Sequence, residues 1–551
     1  GPIPHELGNL TQLRDLWLSD NSLTGIIPPE LGNLAQLQTL WLDKNSLTGT
    51  IPPELGNLTQ LQNLDLGLNS LTGPIPPELG NLTQLQMLFL RLNSLTGPIP
   101  PELGDLAQLQ WLHLRGNSLT AIPPELGNLT QLQWLYLDDN SLTGPIPPEL
   151  GNLAQLQTLH VEDNALTGPI PPELGNLEQL QYLYLDNNTL TGLIPPEFGN
   201  LAQIRILELW RNSLTGPIPP ELGNLPQLVN LMLSHNSLTG SIPHELGKLT
   251  QLEWLHLQDN SLTGTIPSEL GNLAHLTQLH LSSNSLTGPV PPELGNLTQL
   301  QELRLQSNTL TGALPRSLMQ LHSLRTLHFG GQQLCAPRDN EFQTWLRSIP
   351  EVDGPTCAGI QFAGTIADQS FPRAQQIAPL VLPEAAGGVE PINYTLTPTM
   401  LAGLSFDASA RTISGTPTEV TAAPVPYTYT ATDAYGSTDS LQFNIEVYSP
   451  VAIEDETVPE SFAVHGNYPN PFRQSTRIVF DLPWPARVTV EVIDVTGRRV
   501  LAIPPEDLAA GWKQDIELRG GPLPSGFYLY RLMATSPEGH STHVSPIMRI
   551  R

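Results

Sequence analysis

The chain has 551 residues, more than one ordinary hydrophobic core can organise, so several domains or an array of repeats is expected. Its 52 acidic and 24 basic residues give a formal net charge of −28 at pH 7, and three of the basic residues are lysines. That charge argues against a nucleic-acid partner, because phosphate binding requires a basic surface. No run of about 18 apolar residues occurs, which argues against a transmembrane segment.

The N-terminal residues, GPIPHELGNL, begin within a repeat and include neither an initiator Met nor a signal peptide. We therefore expect the native chain to begin further upstream, with residues that carry export information. The 55 prolines and 45 glycines fall at fixed offsets from leucines. That regularity indicates a folded repeat array and not a disordered chain.

An NSLTG-like turn recurs through residues 1–333. Its Asn returns every 24 residues, except for one interval of 23 where LTAIPPE lacks a residue. The positions are Asn21, Asn45, Asn69, Asn93, Asn117, Asn140, Asn164, Asn188, Asn212, Asn236, Asn260, Asn284 and Asn308. A fourteenth, degraded copy, LHFGGQQL, has Gln332 in the Asn position. The repeating unit, L-x-x-L-x-L-x-x-N-x-L-T-G-x-I-P-x-E-L-G-N-L, resembles the plant-type leucine-rich repeat.

This resemblance implies an α/β-type solenoid, mostly β with short helical turns, in which the L-x-L segments form one parallel concave sheet. Leucines such as Leu132, Leu135 and Leu137 should point inward, because one unit cannot bury its apolar face without its neighbours. The Asn at the bend can bond backbone groups that the turn leaves unpaired, and Gly144 permits the backbone geometry that follows.

Aromatic residues avoid the leucine positions. Within residues 1–322, ten of eleven occupy the variable positions, and only Phe198 takes a framework position. By the two-residue alternation of a strand, the ten point outward from the concave sheet, where we expect them to be largely exposed. They are Trp17, Trp41, Phe89, Trp111, Trp134, Tyr136, Tyr182, Tyr184, Trp210 and Trp254. Trp111, Trp134 and Tyr136 are expected to form one contiguous patch, and such patches mark binding sites.

Charged residues flank these aromatics. The acidic ones are Asp138, Asp139, Glu162, Asp163 and Asp186, and the basic ones are Arg91 and Arg115. Rings beside carboxylates suit a sugar, and they equally suit a basic or aromatic-rich peptide segment. Two simpler explanations stay open: recently duplicated repeats drift most freely at solvent positions, and charges are common on an acidic surface.

Five histidines share one position of the repeat: His113, His160, His256, His280 and His328. His256 and His280 should be lateral neighbours, but no third ligand at a suitable spacing accompanies them, so the sequence predicts no metal site and no cofactor. No nucleophile, phosphate-binding or zinc-protease motif is present, and the carboxylate pairs recur by repetition. The sequence therefore predicts no enzyme.

The two cysteines, Cys335 and Cys357, enclose a segment in which Phe342, Trp345 and Leu346 recur at helical spacing. A short amphipathic helix in residues 334–357 is expected to cover the last repeat. A disulfide would staple this cap and would imply an oxidising compartment, whereas two reduced core cysteines are the alternative. The segment resembles the Cys-paired terminal caps of secreted leucine-rich-repeat proteins.

Residues 358–449 change to short strands and turns, with Leu441, Phe443, Ile445 and Val447 alternating near the end. This pattern predicts a small β-sandwich. The run LAGLSFDASARTISGTPTEV with ATDAYG resembles the immunoglobulin-like, cadherin-like domains of bacterial surface proteins. Some relatives bind calcium, but Asp433 alone is weak evidence, and we interpret the module as a spacer before an acidic linker at 450–460.

Residues 461–551 are again predicted to be all-β, with Val488, Val490 and Val492 alternating before a Thr-Gly turn. The motifs NYPNPF, DVTGRRV and LPSGFYLYRL resemble the C-terminal sorting domain of the type IX secretion system. That resemblance implies export across the outer membrane of a Bacteroidetes-like bacterium, with the type IX machinery as a partner and an extracellular or outer-membrane-surface location.

The sequence therefore favours a non-enzymatic secreted or cell-surface recognition and adhesion protein, which binds polysaccharide or protein through the concave repeat face. The alternative is a structural surface or matrix component, in which the solenoid is a rigid rod without a specific ligand.

Overall fold

The computed structural model describes residues 1–450 and 458–550. Contacts divide the chain into two compact units, Gly1–Val447 and Tyr448–Arg551. Most of the predicted linker, residues 451–457, lies outside the described residues.

The first unit is built on a parallel sheet of fifteen strands, here called the long sheet, in which repeats adjacent in sequence are adjacent in space. Each central leucine pairs with that of the next repeat, as Leu112, Leu135 and Leu159 do. The predicted solenoid is thereby confirmed. The strands are Asp15–Trp17, Thr39–Trp41, Asn63–Asp65, Met87–Phe89, Trp111–His113, Trp134–Tyr136, Thr158–His160, Tyr182–Tyr184, Ile206–Glu208, Asn230–Met232, Trp254–His256, Gln278–His280, Glu302–Arg304, Thr326–His328 and Glu351–Asp353.

The opposite side of each coil is a short 3-10 helix at the PELGN segment. In most repeats the second proline begins the helix, because its fixed φ suits a first helical position. Gly127 is required there, since a Cβ would lie 2.3 Å from the Glu149 carbonyl oxygen of the next coil. The helices are His5–Asn9, Pro29–Asn33, Pro53–Asn57, Pro77–Asn81, Pro101–Asp105, Pro124–Asn128, Pro148–Asn152, Pro172–Asn176, Pro196–Asn200, Pro220–Asn224, His244–Lys248, Ser268–Asn272, Pro292–Asn296 and Arg316–Gln320.

Between these two sides, the LTG segments form shorter parallel sheets. Gly144 has a φ of 80°, which fits the prediction that glycine is needed after the turn. The strands are Thr24–Gly25, Ser46–Gly49, Ser70–Gly73, Ser94–Gly97, Ser118–Leu119, Thr143–Gly144, Ala165–Pro169, Thr189–Gly192, Ser213–Pro217, Ser237–Thr239, Thr287–Gly288, Thr309–Ala313 and Gln333–Cys335.

The repeated asparagines form hydrogen bonds inside the coil. Asn188 is buried, its Oδ1 accepts from the backbone N–H of Leu166 at 2.9 Å, and its Nδ2 donates to the carbonyl oxygens of Val161 and Leu185 at 3.0 and 3.2 Å. One side chain therefore satisfies backbone groups of two adjacent repeats, which explains why this position tolerates so little change.

The cap is an α-helix, Asn340–Ser348, whose first turn is closed by the Asp339 carboxylate accepting from the Phe342 N–H at 3.0 Å. Phe342 is fully buried and Trp345 packs against the leucine core beside it. Cys335 and Cys357 are joined by a disulfide.

Residues 361–448 form antiparallel sheets of two, three and four strands. Phe443, Ile445 and Val447 are buried, whereas Leu441 is half-buried. Asp433 is used locally, because its Oδ1 accepts from the N–H groups of Tyr435 and Ser437 at 2.9 and 2.8 Å. The strands are Gln361–Phe362, Gln369–Pro372, Leu380–Val381, Ala385–Ala386, Asn393–Thr397, Leu404–Asp407, Thr412–Gly415, Val425–Thr432 and Thr438–Tyr448.

The second unit packs a three-stranded antiparallel sheet and a four-stranded one around a single core. Val488, Val490 and Val492 are fully buried in it, as their alternation predicts. The strands are Ala463–Tyr468, Ser475–Leu482, Ala486–Ile493, Arg499–Leu508, Gly511–Arg519, Gly526–Ser536 and Gly539–Arg549.

Candidate functional site

Five rings on neighbouring strands of the long sheet contact one another in a continuous row, here called the ring ladder: Phe89, His113, Tyr136, His160 and Tyr184. Phe89 meets His113 edge-on, His113 and Tyr136 are tilted, and the last two contacts are stacked. They occupy the position after the central leucine in successive repeats, so the parallel register places each beside the next. Ring centroids are 5.6, 4.6, 4.8 and 4.2 Å apart along the ladder. Spacing of this kind matches the distance between adjacent strands.

A pair of tryptophan rings lies beside the ladder. Trp111 and Trp134 stand one position before the central leucines, and their centroids are 3.8 Å apart. Phe89 contacts Trp111 edge-on at 6.1 Å, which joins the pair to the ladder. The expected contiguous patch of Trp111, Trp134 and Tyr136 therefore exists, but histidines complete it.

The aromatic rings are less exposed than expected. Trp17 is 66% exposed and Trp41 is 36% exposed, while the other eight are half-buried. Stacking accounts for part of the burial of Tyr136 and Tyr184, because the His160 ring covers one face of each. The alternation rule predicts which side of the sheet a residue occupies, but it does not predict that neighbours stack.

The remaining predicted aromatics do not join the ladder. Trp17 and Trp41 stack on each other at 5.5 Å, and the strand Asn63–Asp65 separates them from Phe89. Tyr182 precedes the central leucine of its strand and lies two residues before the ladder residue Tyr184. Trp210 donates from Nε1 to Glu208 at 3.0 Å, and Trp254 lies beside His256 at 6.2 Å.

Three carboxylates border the ladder on adjacent repeats and are here called the acidic rank: Asp138, Glu162 and Asp186. Asp138 and Asp186 are 2% and 4% exposed. Within the described residues, Asp138 Oδ1, Glu162 Oε2 and Asp186 Oδ1 are buried without a hydrogen-bond partner. A buried carboxylate oxygen without a hydrogen-bond donor lowers the stability of the fold.

Arg115 is the cation that contacts the rank. Its Nε lies 3.0 Å from Asp138 Oδ2, and its Nη2 lies 2.8 Å from Oδ2 of the exposed Asp139. Arg91 instead contacts Asp65 at 3.3 Å and lies over Phe89. The other predicted flanking acid, Asp163, contacts Asn187 and lies outside the rank.

Burial shifts the pKa values of ionisable side chains on this surface. Desolvation, with Glu162 nearby, raises the pKa of Asp138 to about 6. Desolvation together with Glu208 and Glu162 raises the pKa of Asp186 to about 8. Desolvation lowers the pKa of His113 to about 4, helped by Arg91 and Arg115. Burial therefore shifts Asp138 and Asp186 toward their neutral forms.

His256 and His280 are lateral neighbours, as predicted, with centroids 4.2 Å apart and rings nearly parallel. Each is engaged by an adjacent side chain, His256 Nε2 with Gln278 at 2.9 Å and His280 Nε2 with Glu302 at 3.0 Å. His328 Nε2 lies 3.1 Å from Glu351.

Sequence reasoning missed two features of the surface. His113 and His160 were considered only as metal ligands, although they complete the ladder. Glu208, which extends the acidic region beyond Asp186, was not singled out. The repeat itself carries the signal for both features, because parallel register makes residues at the same position of adjacent repeats neighbours in the sheet.

Family models match most of the chain. A leucine-rich repeat region matches residues 78–183 and 196–352, and single leucine-rich repeats match 12–34, 36–58, 60–82 and 179–201. An Ig domain matches 360–448, and a secretion system C-terminal sorting domain matches 467–542.

Solved structures extend the comparison. A leucine-rich-repeat protein of Leptospira interrogans is 35% identical, over 64% of this chain and 88% of that one, with a TM-score of 0.53. The plant peptide hormone receptor RGFR1 in complex with RGF2 is 34% identical over 67% and 62%, with a TM-score of 0.61. The Arabidopsis receptor kinase HAESA ectodomain in complex with an IDA peptide hormone ligand is 36% identical over 64% and 59%, with a TM-score of 0.60. The chain thus spans less than two thirds of these two receptor chains.

The protein belongs to the leucine-rich-repeat family. It is a secreted leucine-rich-repeat protein with an Ig-like domain and a type IX sorting domain. This set of domains is typical of surface proteins that interact with other proteins, and the location is extracellular or at the cell surface. No curated protein sequence matches the chain. Among the described residues, no helix is long and apolar enough to cross a membrane.

Proposed function

We propose that the protein is a non-enzymatic recognition or adhesion protein whose long sheet binds an extended segment of an extracellular protein. The observation that carries this proposal is the ring ladder beside the acidic rank. The fold needs the leucines and asparagines for its packing, but it needs neither rings nor carboxylates with unpartnered oxygens at these positions of the sheet. Half-exposed rings with unpaired acceptors are the composition of a binding surface.

Protein is favoured over polysaccharide by the orientation of the rings. Tyr136, His160 and Tyr184 stack with interplanar angles of 26° and 21°, so their faces are already covered by one another. Sugar stacking requires free ring faces, whereas the electropositive ring edges suit backbone carbonyl groups of a peptide and the carboxylates suit its basic side chains. The two plant receptors with peptide ligands support this choice by analogy of fold.

Catalysis is disfavoured by the repetition of the site. The carboxylates recur at one position of successive repeats and no nucleophile accompanies them, so the surface lacks the unique acid, base and nucleophile arrangement of a hydrolase. Leucine-rich repeats and Ig-like domains are typically non-catalytic modules.

Arrays of extracellular proteins, basic peptides and glycans, probed with the full chain, test the proposal. We expect binding to protein or peptide probes, with competition by basic peptides. Binding to glycans alone would favour the polysaccharide alternative and contradict the protein ligand. Absence of binding across all arrays would favour the structural rod.

A further inference from the structure

Asp138, His160 and Glu162 bring one ligand atom each to a single point of the long sheet. The three atoms lie within 4.8 Å of one another. The residues come from adjacent repeats, whose strands pair Tyr136 with His160. This group is not evident from sequence spacing. It combines the histidine of one repeat with the acidic residues of that repeat and of the one before it.

Stacking fixes the imidazole before any ligand arrives. His160 lies between Tyr136 and Tyr184, at centroid distances of 4.8 and 4.2 Å. Its Nδ1 lies 2.7 Å from Glu162 Oε1. Because the imidazole is held on both faces, it would lose little conformational freedom on binding an ion, so it is preorganised as a ligand.

Two carboxylate oxygens of the group have no hydrogen-bond partner among the described residues. The Asp138 side chain is 3% exposed, and its Oδ1 has no partner, although Oδ2 contacts Arg115. Glu162 Oε2 is likewise buried and unpartnered. Unpartnered carboxylate oxygens in a buried setting are destabilising, and a cation bound beside them would offset that cost.

We propose that Asp138, His160 and Glu162 bind a first-row divalent transition-metal ion of the Zn²⁺ class. One imidazole nitrogen and two carboxylates suit Zn²⁺ and its neighbours, whereas Ca²⁺ and Mg²⁺ prefer oxygen ligands throughout. Three protein ligands leave a coordination position for water or for a donor from a partner. Asp186 and Glu208 lie outside the group, so they stay available to a basic peptide. The site does not depend on the proposed function, because the ion binds without a partner.

The test is Zn²⁺ binding to the full chain, freed of any histidine tag and stripped with a chelator, measured by isothermal titration and by metal analysis after dialysis. We expect one ion whose affinity falls in His160→Phe, a change that keeps the stacked ring but removes the ligand nitrogen. Loss of even an outer-shell partner costs about 10–100-fold in metal affinity, so at least that loss is expected for a direct ligand. Asp138→Asn should behave in the same way.

His113→Phe is the matched control, because it changes a histidine of the same ladder outside the group, and it should bind Zn²⁺ like the unaltered chain. His280→Phe tests the second histidine pair and should also retain the ion. Thermal melts should show all four variants folded. The proposal is overturned if the unaltered chain binds no Zn²⁺, if it binds Ca²⁺ in preference, or if His160→Phe binds Zn²⁺ as tightly as the unaltered chain.

Discussion

The Nδ1 atom of His160 lies 2.7 Å from Oε1 of Glu162, and the imidazole is stacked between two tyrosine rings. This contact joins the ring ladder to the acidic rank. The two features therefore form one surface, in which aromatic packing sets the position of a polar group.

Leu135→Ala should destabilise the solenoid far more than changes at the outward positions beside it. Leu135 is fully buried, and its truncation leaves a cavity, so we expect a loss of about 2–5 kcal/mol. Tyr136→Ala removes a half-buried ring with stacking partners, which should cost about 1–2 kcal/mol. Urea denaturation of both variants checks the order. Equal losses would place the rings in the core.

Asn188→Ala should remove about 2–4 kcal/mol, because several buried backbone groups in two repeats lose their partner. The adjacent Asn187 provides the control. It is exposed and has a φ of 49°, so Asn187→Gly keeps the backbone geometry and should be nearly neutral. Denaturant melts of the two variants give the comparison, and an unchanged stability of Asn188→Ala would contradict the structural role of the asparagine hydrogen bonds.

Asp186→Asn should stabilise the chain at neutral pH. The pKa of Asp186 is raised from 3.8 to about 8 in the folded protein. The contribution of Asp186 to the free energy of unfolding is therefore fully present below pH 3.8 and is lost as the pH rises toward 8. The amide avoids that loss, so we expect a gain of about 1–3 kcal/mol at pH 7 after allowance for screening, and no gain near pH 4. Melts at both pH values, without divalent cations, test the sign. A destabilised variant at pH 7 would show that the carboxylate is needed charged.

Replacing Cys335 and Cys357 together with alanine should destabilise the last repeats first. The disulfide closes a loop with a sequence separation of 22, which corresponds to about 3 kcal/mol in the chain-entropy account. Each repeat depends mainly on its neighbours, so hydrogen exchange should accelerate near Leu327 before Leu64. Uniform acceleration would indicate that the cap acts on the whole array.

Deleting residues 461–551 should block surface display while the repeats still fold. The deleted strands form their own core, and Gly1–Val447 is a separate compact unit. Cell fractionation in a host with type IX secretion should find the shortened chain in the periplasm. Normal display of the shortened chain would contradict the role assigned to the sorting domain.

The solenoid was predictable because repetition reveals its rules: a leucine at the same position in thirteen or more copies, such as Leu135, must be inward. The Asn hydrogen bonds followed from the same reasoning. The surface was harder to predict, since its properties arise between repeats. Asp138 and Asp186 are buried although they lie at variable positions of the repeat, and His160 gains its role from tyrosines about 24 positions away on either side.

The most direct test of the recognition surface is the affinity of the double variant Tyr136→Ala/Tyr184→Ala for the protein or peptide recovered from the arrays. Leu193→Ala is the control, because it removes an exposed apolar side chain outside the long sheet. Truncated hot-spot rings cost about 1–3 kcal/mol each, so the double variant should bind at least tenfold more weakly while Leu193→Ala binds normally. Unchanged affinity in a folded double variant would contradict the assignment of the ring ladder as the binding surface.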